Sequence, residues 1–194
     1  MTEAIKLQMP RFASGKTVLE ALESRKSSRE YSAEPLSEQE LSELLWAAGG
    51  INRADGHRTA PSAMNAQNID IYVFLTEGVY KYLPKEHTLT LIAEGNRQKD
   101  AGLQDYVETA PVNLIFVARP MVIEGREITP EQQTSWAHLT VGYLSENVYL
   151  YCASAGLATV ARAFIDKAGL QKLLNLGDDE EAILGQCVGH FADK

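Results

Sequence analysis

With 194 residues and 21.4 kDa, the chain can form one domain with a sizeable core, or one protomer of an obligate dimer. Its 45% hydrophobic and 23% charged residues exclude disorder, and 18 Lys+Arg against 26 Asp+Glu, a net charge of −8, excludes generic affinity for nucleic acid. No apolar run reaches the roughly 18–20 residues that cross a bilayer, and MTEAIKLQMPRF lacks a signal-peptide pattern, so a cytoplasmic location away from membranes is expected.

In chain order, Thr17-Val-Leu-Glu20 has the pattern of a capping box and predicts a short helix toward Ser24. Arg25-Lys26-Ser27-Ser28-Arg29 follows it, a cationic and hydroxyl-bearing knot in an acidic chain. Guanidinium supplies paired planar donors and serine adds hydroxyl and backbone donors, a set suited to a phosphate monoester. A solvated basic turn is the other explanation, and composition alone favours it. Ser37-Glu-Gln-Glu40 is a second capping box, opening a helix with Leu41, Leu44, Leu45 and Ala48 on one face. Gly49-Gly50 is expected to end that helix through a residue at positive φ.

Residues 51–60 read as a polar loop. The next stretch, Ala60-Pro61-Ser62-Ala63-Met64-Asn65-Ala66-Gln67, is built of small and amide residues. Its Ser, Asn and Gln side chains can read the edge of a planar heterocycle, or simply form a turn into a strand. Ile69–Leu75 reads as that strand, followed by a hairpin of Val79–Tyr82 and Thr88–Leu91 about Pro84-Lys85-Glu86. Residues 92–107 are polar and predict a helix. Val112–Ala118, an apolar run bounded by prolines, predicts a buried strand.

Thr129-Pro-Glu-Gln132 starts the longest helix, with Pro130 at the favoured first position. Trp136, Leu139, Tyr143, Leu144, Val148 and Tyr151 recur at helical spacing until Gly156, which predicts a core or interface helix. Leu157–Ala161 reads as a strand, Asp166 caps a helix holding Leu170, Leu173 and Leu174, and Ala182–Gly189 is the last strand. Helices interleaved with strands and a hairpin predict a single α+β domain over residues 1–194. Its sheet is expected to be mixed or antiparallel and flanked by helices, unlike a doubly wound fold.

Several chemistries are excluded. Gly15-Lys16-Thr17 resembles the end of a phosphate loop, but Pro10 stands where the first glycine belongs. There is no Gly-x-Ser-x-Gly elbow and no Gly-x-Gly-x-x-Gly. Cys152 and Cys187 form no CxxC pair, and His57, His87, His138 and His190 each stand alone, so no metal site is expected.

The order of several segments resembles the FMN-dependent nitroreductase family, most of all the branch with the flavin dehydrogenases of azoline-forming peptide biosynthesis. The matching stretches are Arg25–Tyr31, Glu34–Ala48, Arg58–Gln67, Gly78–Tyr82 with Pro84 and His87, Ala110–Val112, Gly156–Val160 and Val188–His190. The resemblance implies a homodimer with two FMN sites at its interface. It implies hydride transfer from NADH or NADPH through flavin N5 to a small acceptor such as a nitroaromatic or quinone. Two alternatives stay open: a partner-dependent flavin dehydrogenase acting on a modified peptide, and a non-catalytic FMN-binding protein.

The resemblance also places residues. Arg25, Lys26, Ser27 and Arg29 match the segment that binds the FMN phosphate, ribityl chain and pyrimidine edge. Pro61, Ser62, Ala63, Asn65 and Gln67 match the segment that the partner subunit lays against the flavin. Gln104 sits where a polar residue meets the pyrimidine ring. Val160, Ala161, Arg162 and Ala163 match the stretch whose backbone runs along the isoalloxazine, with the Arg162 side chain expected either to alter the pocket or to face solvent. His190 or Lys194 would supply the basic phosphate ligand that relatives place later in the chain. The cofactor carries the chemistry in such a site, so no catalytic side chain is expected.

Overall fold

The computed structural model describes residues 4–11 and 15–192. Lys194 therefore lies outside the described residues, and the expectation attached to it is not placed. Twelve regular elements follow one another: β1 (Ile5–Lys6), α1 (Val18–Ser24), α2 (Glu38–Gly49), β2 (Ile69–Phe74), β3 (Gly78–Leu83), β4 (Thr88–Glu94), α3 (Tyr106–Thr109), β5 (Val112–Ala118), α4 (Pro130–Ala155), β6 (Ala158–Arg162), α5 (Lys167–Leu173) and β7 (Glu181–Gly189).

The strands form one seven-stranded sheet in the order β1-β4-β3-β2-β5-β7-β6, every neighbouring pair antiparallel. This is the expected α+β class. The apolar run of β5 lies between β2 and β7, buried at every position because both sheet faces are covered. Alternation divides it: Val112, Leu114 and Phe116 pack into one core with α2 and α4, while Ile115 and Val117 pack into the other with α3 and α5. Two small cores on opposite faces hold the molecule together.

The helix starts are local chemistry. Glu20 Oε2 accepts the Thr17 N–H at 2.8 Å, Glu40 Oε2 accepts that of Ser37 at 2.8 Å, and Gln132 Oε1 accepts that of Thr129 at 3.0 Å. Gly156 ends α4 at φ +77°, a conformation that costs glycine little. Gly50 differs from its expectation. Its φ is −71°, so no left-handed turn ends α2. Glycine serves there because a Cβ would press into the Trp46 side chain, and the Gly50 carbonyl is left to accept the Thr59 N–H at 2.9 Å.

Residues 92–107 are not the predicted helix. β4 runs on to Glu94, Gly95 turns at φ +81°, a 3-10 turn covers Gln98–Ala101, and only the single turn of α3 is α-helical. Hydrogen bonds made outside the segment decide this. Buried Gln98 donates through Nε2 to the carbonyls of Ala110 (2.9 Å) and Pro111 (2.8 Å), and Arg162 donates to the Ala101 carbonyl at 2.8 Å. β1 was not foreseen either; it is two residues long, and its register is set by Leu89 and Thr88.

The edge near β1 is fastened by His87. Its Nε2 faces the Gln8 carbonyl at 2.9 Å and Ser42 Oγ at 2.8 Å, and its Nδ1 faces the Tyr82 hydroxyl at 2.8 Å. Burial lowers the His87 pKa, so the ring is held neutral with Nε2 donating and Nδ1 accepting. A histidine pKa depressed by folding gives stability that is full above the unfolded value of about 6.5 and is lost as pH falls through the folded value. Thermal melts from about pH 7 to about pH 5 should therefore show a steeper loss in the wild type than in His87→Gln. Parallel profiles would contradict this assignment.

Candidate functional site

Arg25 is the first residue beyond α1, at ψ 124°, so the chain leaves the helix extended. β6 is the edge strand of the sheet, and the Ser28 N–H bonds the Thr159 carbonyl at 2.9 Å, stapling the basic knot to that edge. Tyr149 of α4 organises the junction. The Arg25 guanidinium lies 5.2 Å from its ring centroid, and its hydroxyl is 2.9 Å from Ser27 Oγ. The same hydroxyl accepts the Ala161 N–H at 2.9 Å. Tyr149 thus joins two segments far apart in the sequence, Arg25–Arg29 and Val160–Ala163. Nothing in the sequence pattern singled it out.

Lys26 lies over the ring of Phe191, 4.8 Å from its centroid. Lys16, weighed and set aside in the sequence as part of a phosphate loop, places Nζ 3.1 Å from Ser24 Oγ. Lys16, Ser24, Lys26, Tyr149, Thr159 and Phe191 line a cleft of ≈ 190 Å³. Among the described residues, Lys16, Arg25, Lys26 and Arg29 make no ion pair with a carboxylate. Lys16, Arg25 and Lys26, with the hydroxyls of Ser24 and Ser27, form a donor set for an anion in a chain of net charge −8, and Arg29 lines a neighbouring hollow with Lys26, Ser28 and Phe191. The cleft is smaller than the roughly 300–1,000 Å³ of a pocket for a whole organic ligand. It suits a phosphate and not a tricyclic ring.

The amide-rich segment lies elsewhere. Its turn is strained: Met64, Asn65 and Gln67 stand at φ +48°, +54° and +49°. Asn65 is exposed. Gln67 is committed within the turn, since its Nε2 donates to the Gly56 carbonyl (3.0 Å) and Asn65 Oδ1 (2.9 Å), and its Oε1 accepts from Arg58 Nε (3.1 Å). Its N–H donates to Ser62 Oγ at 3.0 Å. The Gln67 side chain therefore builds the turn instead of reaching out of it. The Gln67 carbonyl accepts from Arg119, and two residues on, the Met121 N–H donates to Gln133 of α4 at 2.9 Å. Gln133 precedes Tyr149 by sixteen positions, about 24 Å of helix at 1.5 Å per residue. Within one chain the two candidate segments stand toward opposite ends of α4.

Three further residues complete the picture. Gln104 Oε1 is buried with no hydrogen-bond partner among the described residues. The His190 ring faces Glu40, its Nε2 3.7 Å from the carboxylate, so an acidic group already neighbours the residue expected to face phosphate. Arg162 departs from both of its expectations. Its side chain is 5% exposed and points neither to a pocket nor to solvent. Nη1 donates to the Ala101 carbonyl and Nη2 to Asn113 Oδ1, both at 2.8 Å, and Nε faces Cys187 Sγ at 3.4 Å. Burial raises the pKa of both cysteine thiols, which keeps them protonated and unreactive. Among the described residues no cluster of His, Cys, Asp and Glu can hold a metal ion, and no helix is long and apolar enough to cross a membrane.

A model of the nitroreductase family matches residues 22–190. A candidate nitroreductase of Methanocaldococcus jannaschii, MJ1384, is 34% identical over 177 residues, 86% of this chain and 88% of that protein. The crystal structure of a candidate nitroreductase from Ralstonia eutropha superposes with a TM-score of 0.90 at 41% identity, covering 98% of this chain and 90% of that one. The NADPH:FMN oxidoreductase of Vibrio harveyi, solved in complex with NAD+, gives a TM-score of 0.67 at 20% identity over 91% of this chain and 69% of that one. At that identity the likeness is one of fold.

Proposed function

The chain belongs to the nitroreductase family, and from that premise we propose that it is an FMN-dependent oxidoreductase taking electrons from NADH or NADPH. The observation that carries this reading is the cluster of Lys16, Arg25, Lys26 and hydroxyls around Tyr149. It fits a phosphate monoester in charge and size, and a dinucleotide loop is missing from the sequence. When bound, FMN would supply the two-electron chemistry that no side chain here can supply.

In this reading Arg25, Lys26, Ser27 and Arg29 hold the phosphate and ribityl end. The backbone of Val160–Ala163 lines the ring, and Gln104 Oε1 supplies an acceptor for an N–H of the pyrimidine edge. Pro61, Ser62, Ala63 and Asn65 cover the ring from a second copy of the chain, with Gln67 shaping the turn that carries them. The anchors of the two segments on α4, Gln133 and Tyr149, stand about 24 Å apart along the helix, and that separation supports a second copy as the source of the covering turn. The exposed face of α4, with Leu139 56% and Tyr143 48% exposed, supports burial against that copy.

The acceptor in this reading is a small, planar, electron-poor molecule such as a nitroaromatic or quinone. A second reading, from the resemblance of the matching stretches taken together, is a partner-dependent flavin dehydrogenase acting on a modified peptide. Anaerobic mixing of the FMN-loaded protein with NADH or NADPH tests both points. Bleaching of the yellow colour, and its return on adding a nitroaromatic, is expected from the purified protein alone. Bound FMN that stays oxidised with both nucleotides would contradict the reading. Reduction only in the presence of a protein partner would favour peptide-directed chemistry.

A further inference from the structure

The Met64–Gln67 turn holds three non-glycine residues in the left-handed region, a costly arrangement that persists only where its surroundings impose it. The surroundings here are two arginines gripping Gln67 from either side. Arg58 donates from Nε to the Gln67 side chain at 3.1 Å and from Nη1 to the Ile69 carbonyl at 3.3 Å. Arg119 donates from Nη2 to the Gln67 main-chain carbonyl at 3.0 Å. The backbone of Arg119 is fixed in turn, exchanging bonds with Asn68 at 2.8 and 2.9 Å. Its guanidinium is aimed by Asp70, whose Oδ2 lies 3.0 Å from Arg119 Nε and 2.6 Å from Lys81 Nζ.

We propose that Arg119, aimed by Asp70 and assisted by Arg58, is a positioning residue that locks the strained turn so that Asn65 is presented to the flavin held by the second chain. Several observations carry this. Gln67 Nε2 donates to the Gly56 carbonyl and to Asn65 Oδ1, so the Asn65 side chain is fixed through its carbonyl oxygen. Asn65 is exposed, as a residue that meets a ligand from outside its own chain must be. One fork of Arg119 serves both Asp70 and the Gln67 carbonyl, a geometry that a lysine ammonium cannot reproduce.

The inference rests on the shared-site reading above, and subunit exchange separates the two. FMN affinity is measured on flavin-free Arg25→Ala, Asn65→Ala, Arg119→Ala and Arg119→Lys proteins, alone and after mixing in pairs. Arg119→Ala should bind FMN about tenfold more weakly, the size of one lost hydrogen bond to a charged group. Arg119→Lys should fall between it and the wild type. Mixed with Arg25→Ala, Arg119→Ala should restore one wild-type site per heterodimer, because its lesion and that of Arg25 can then share the other site. Mixed with Asn65→Ala it should restore none, because each site carries one damaged turn.

A role in stability alone would lower the melting temperature without producing that pairing pattern. Wild-type affinity in Arg119→Ala, or restoration with Asn65→Ala, overturns the proposal. If Arg119→Ala does not fold, Arg119→Lys carries the same pairing test with a smaller loss. Failure of the control pair, Arg25→Ala with Asn65→Ala, instead brings down the shared site itself and this proposal with it.

Discussion

Replacing Arg162 by alanine is expected to destabilise the protein by about 3 kcal/mol or more, the largest stability effect that a single substitution in β6 should produce. The guanidinium is buried with three polar neighbours and no carboxylate partner among the described residues. Its removal relieves the desolvation of a charge. Against that, it strands the Ala101 carbonyl inside the protein at about 1–3 kcal/mol, leaves Asn113 Oδ1 with only the weak Cys187 thiol donor at 3.1 Å, and opens a cavity. The second effect is the larger because both acceptors are already shut off from water.

The same position explains two glycines. A Cβ at Gly102 or Gly185 would fall on the Arg162 guanidinium, so alanine at either is expected to destabilise too. Lysine at 162 should not rescue, since one ammonium cannot reach acceptors on both β5 and the 98–101 turn in the planar geometry used here. Equilibrium denaturation of Arg162→Ala measures this. A loss below about 1 kcal/mol, the scale of an ordinary surface change, would show that the buried network contributes little.

What the sequence made legible was chemistry that closes within a few residues. The hydroxyl-to-Glu or hydroxyl-to-Gln spacing of Thr17, Ser37 and Thr129 gives the observed helix starts, and Pro111 with the following apolar run gives β5. The segment from residue 92 to 107 was misread because its polar composition suits a helix, whereas its Gln98 side chain bonds the carbonyls of Ala110 and Pro111 and its Ala101 carbonyl is taken by Arg162. Gly50 was read as a left-handed stop, but close approach of Trp46 is the reason for glycine there.

At the candidate site, the segments were legible through family resemblance and their roles were not. An arginine beside a flavin-like segment is more often a pocket or surface residue, so burial of Arg162 needed the two glycines facing it to be seen in space. Gln67 looked like a reader of heterocycle edges, yet it is consumed by its own turn. Tyr149 was one aromatic among many on a long helix. Its importance comes from Arg25, Ser27 and Ala161 converging on it, which spacing along the chain cannot show.

The central claim is that the cationic knot at Arg25 holds the phosphate of FMN, and the flavin selectivity of Arg25→Ala tests it most directly. Charge-assisted hydrogen bonds to a phosphate are worth roughly 1.5–3 kcal/mol each. Losing one or two of them should weaken FMN binding by about tenfold to a hundredfold or more. Riboflavin carries the same ring and ribityl chain without the phosphate, so its affinity should be nearly unchanged by the substitution. Arg25 also stacks on Tyr149, and a general disturbance of that junction would weaken both flavins alike. Titration of the flavin-free wild type and of Arg25→Ala with FMN and riboflavin separates the two cases. The wild type should strongly prefer FMN, and in Arg25→Ala that preference should collapse through loss of FMN affinity alone. Equal wild-type affinity for the two flavins, or an Arg25→Ala protein that keeps the full preference for FMN, would contradict it.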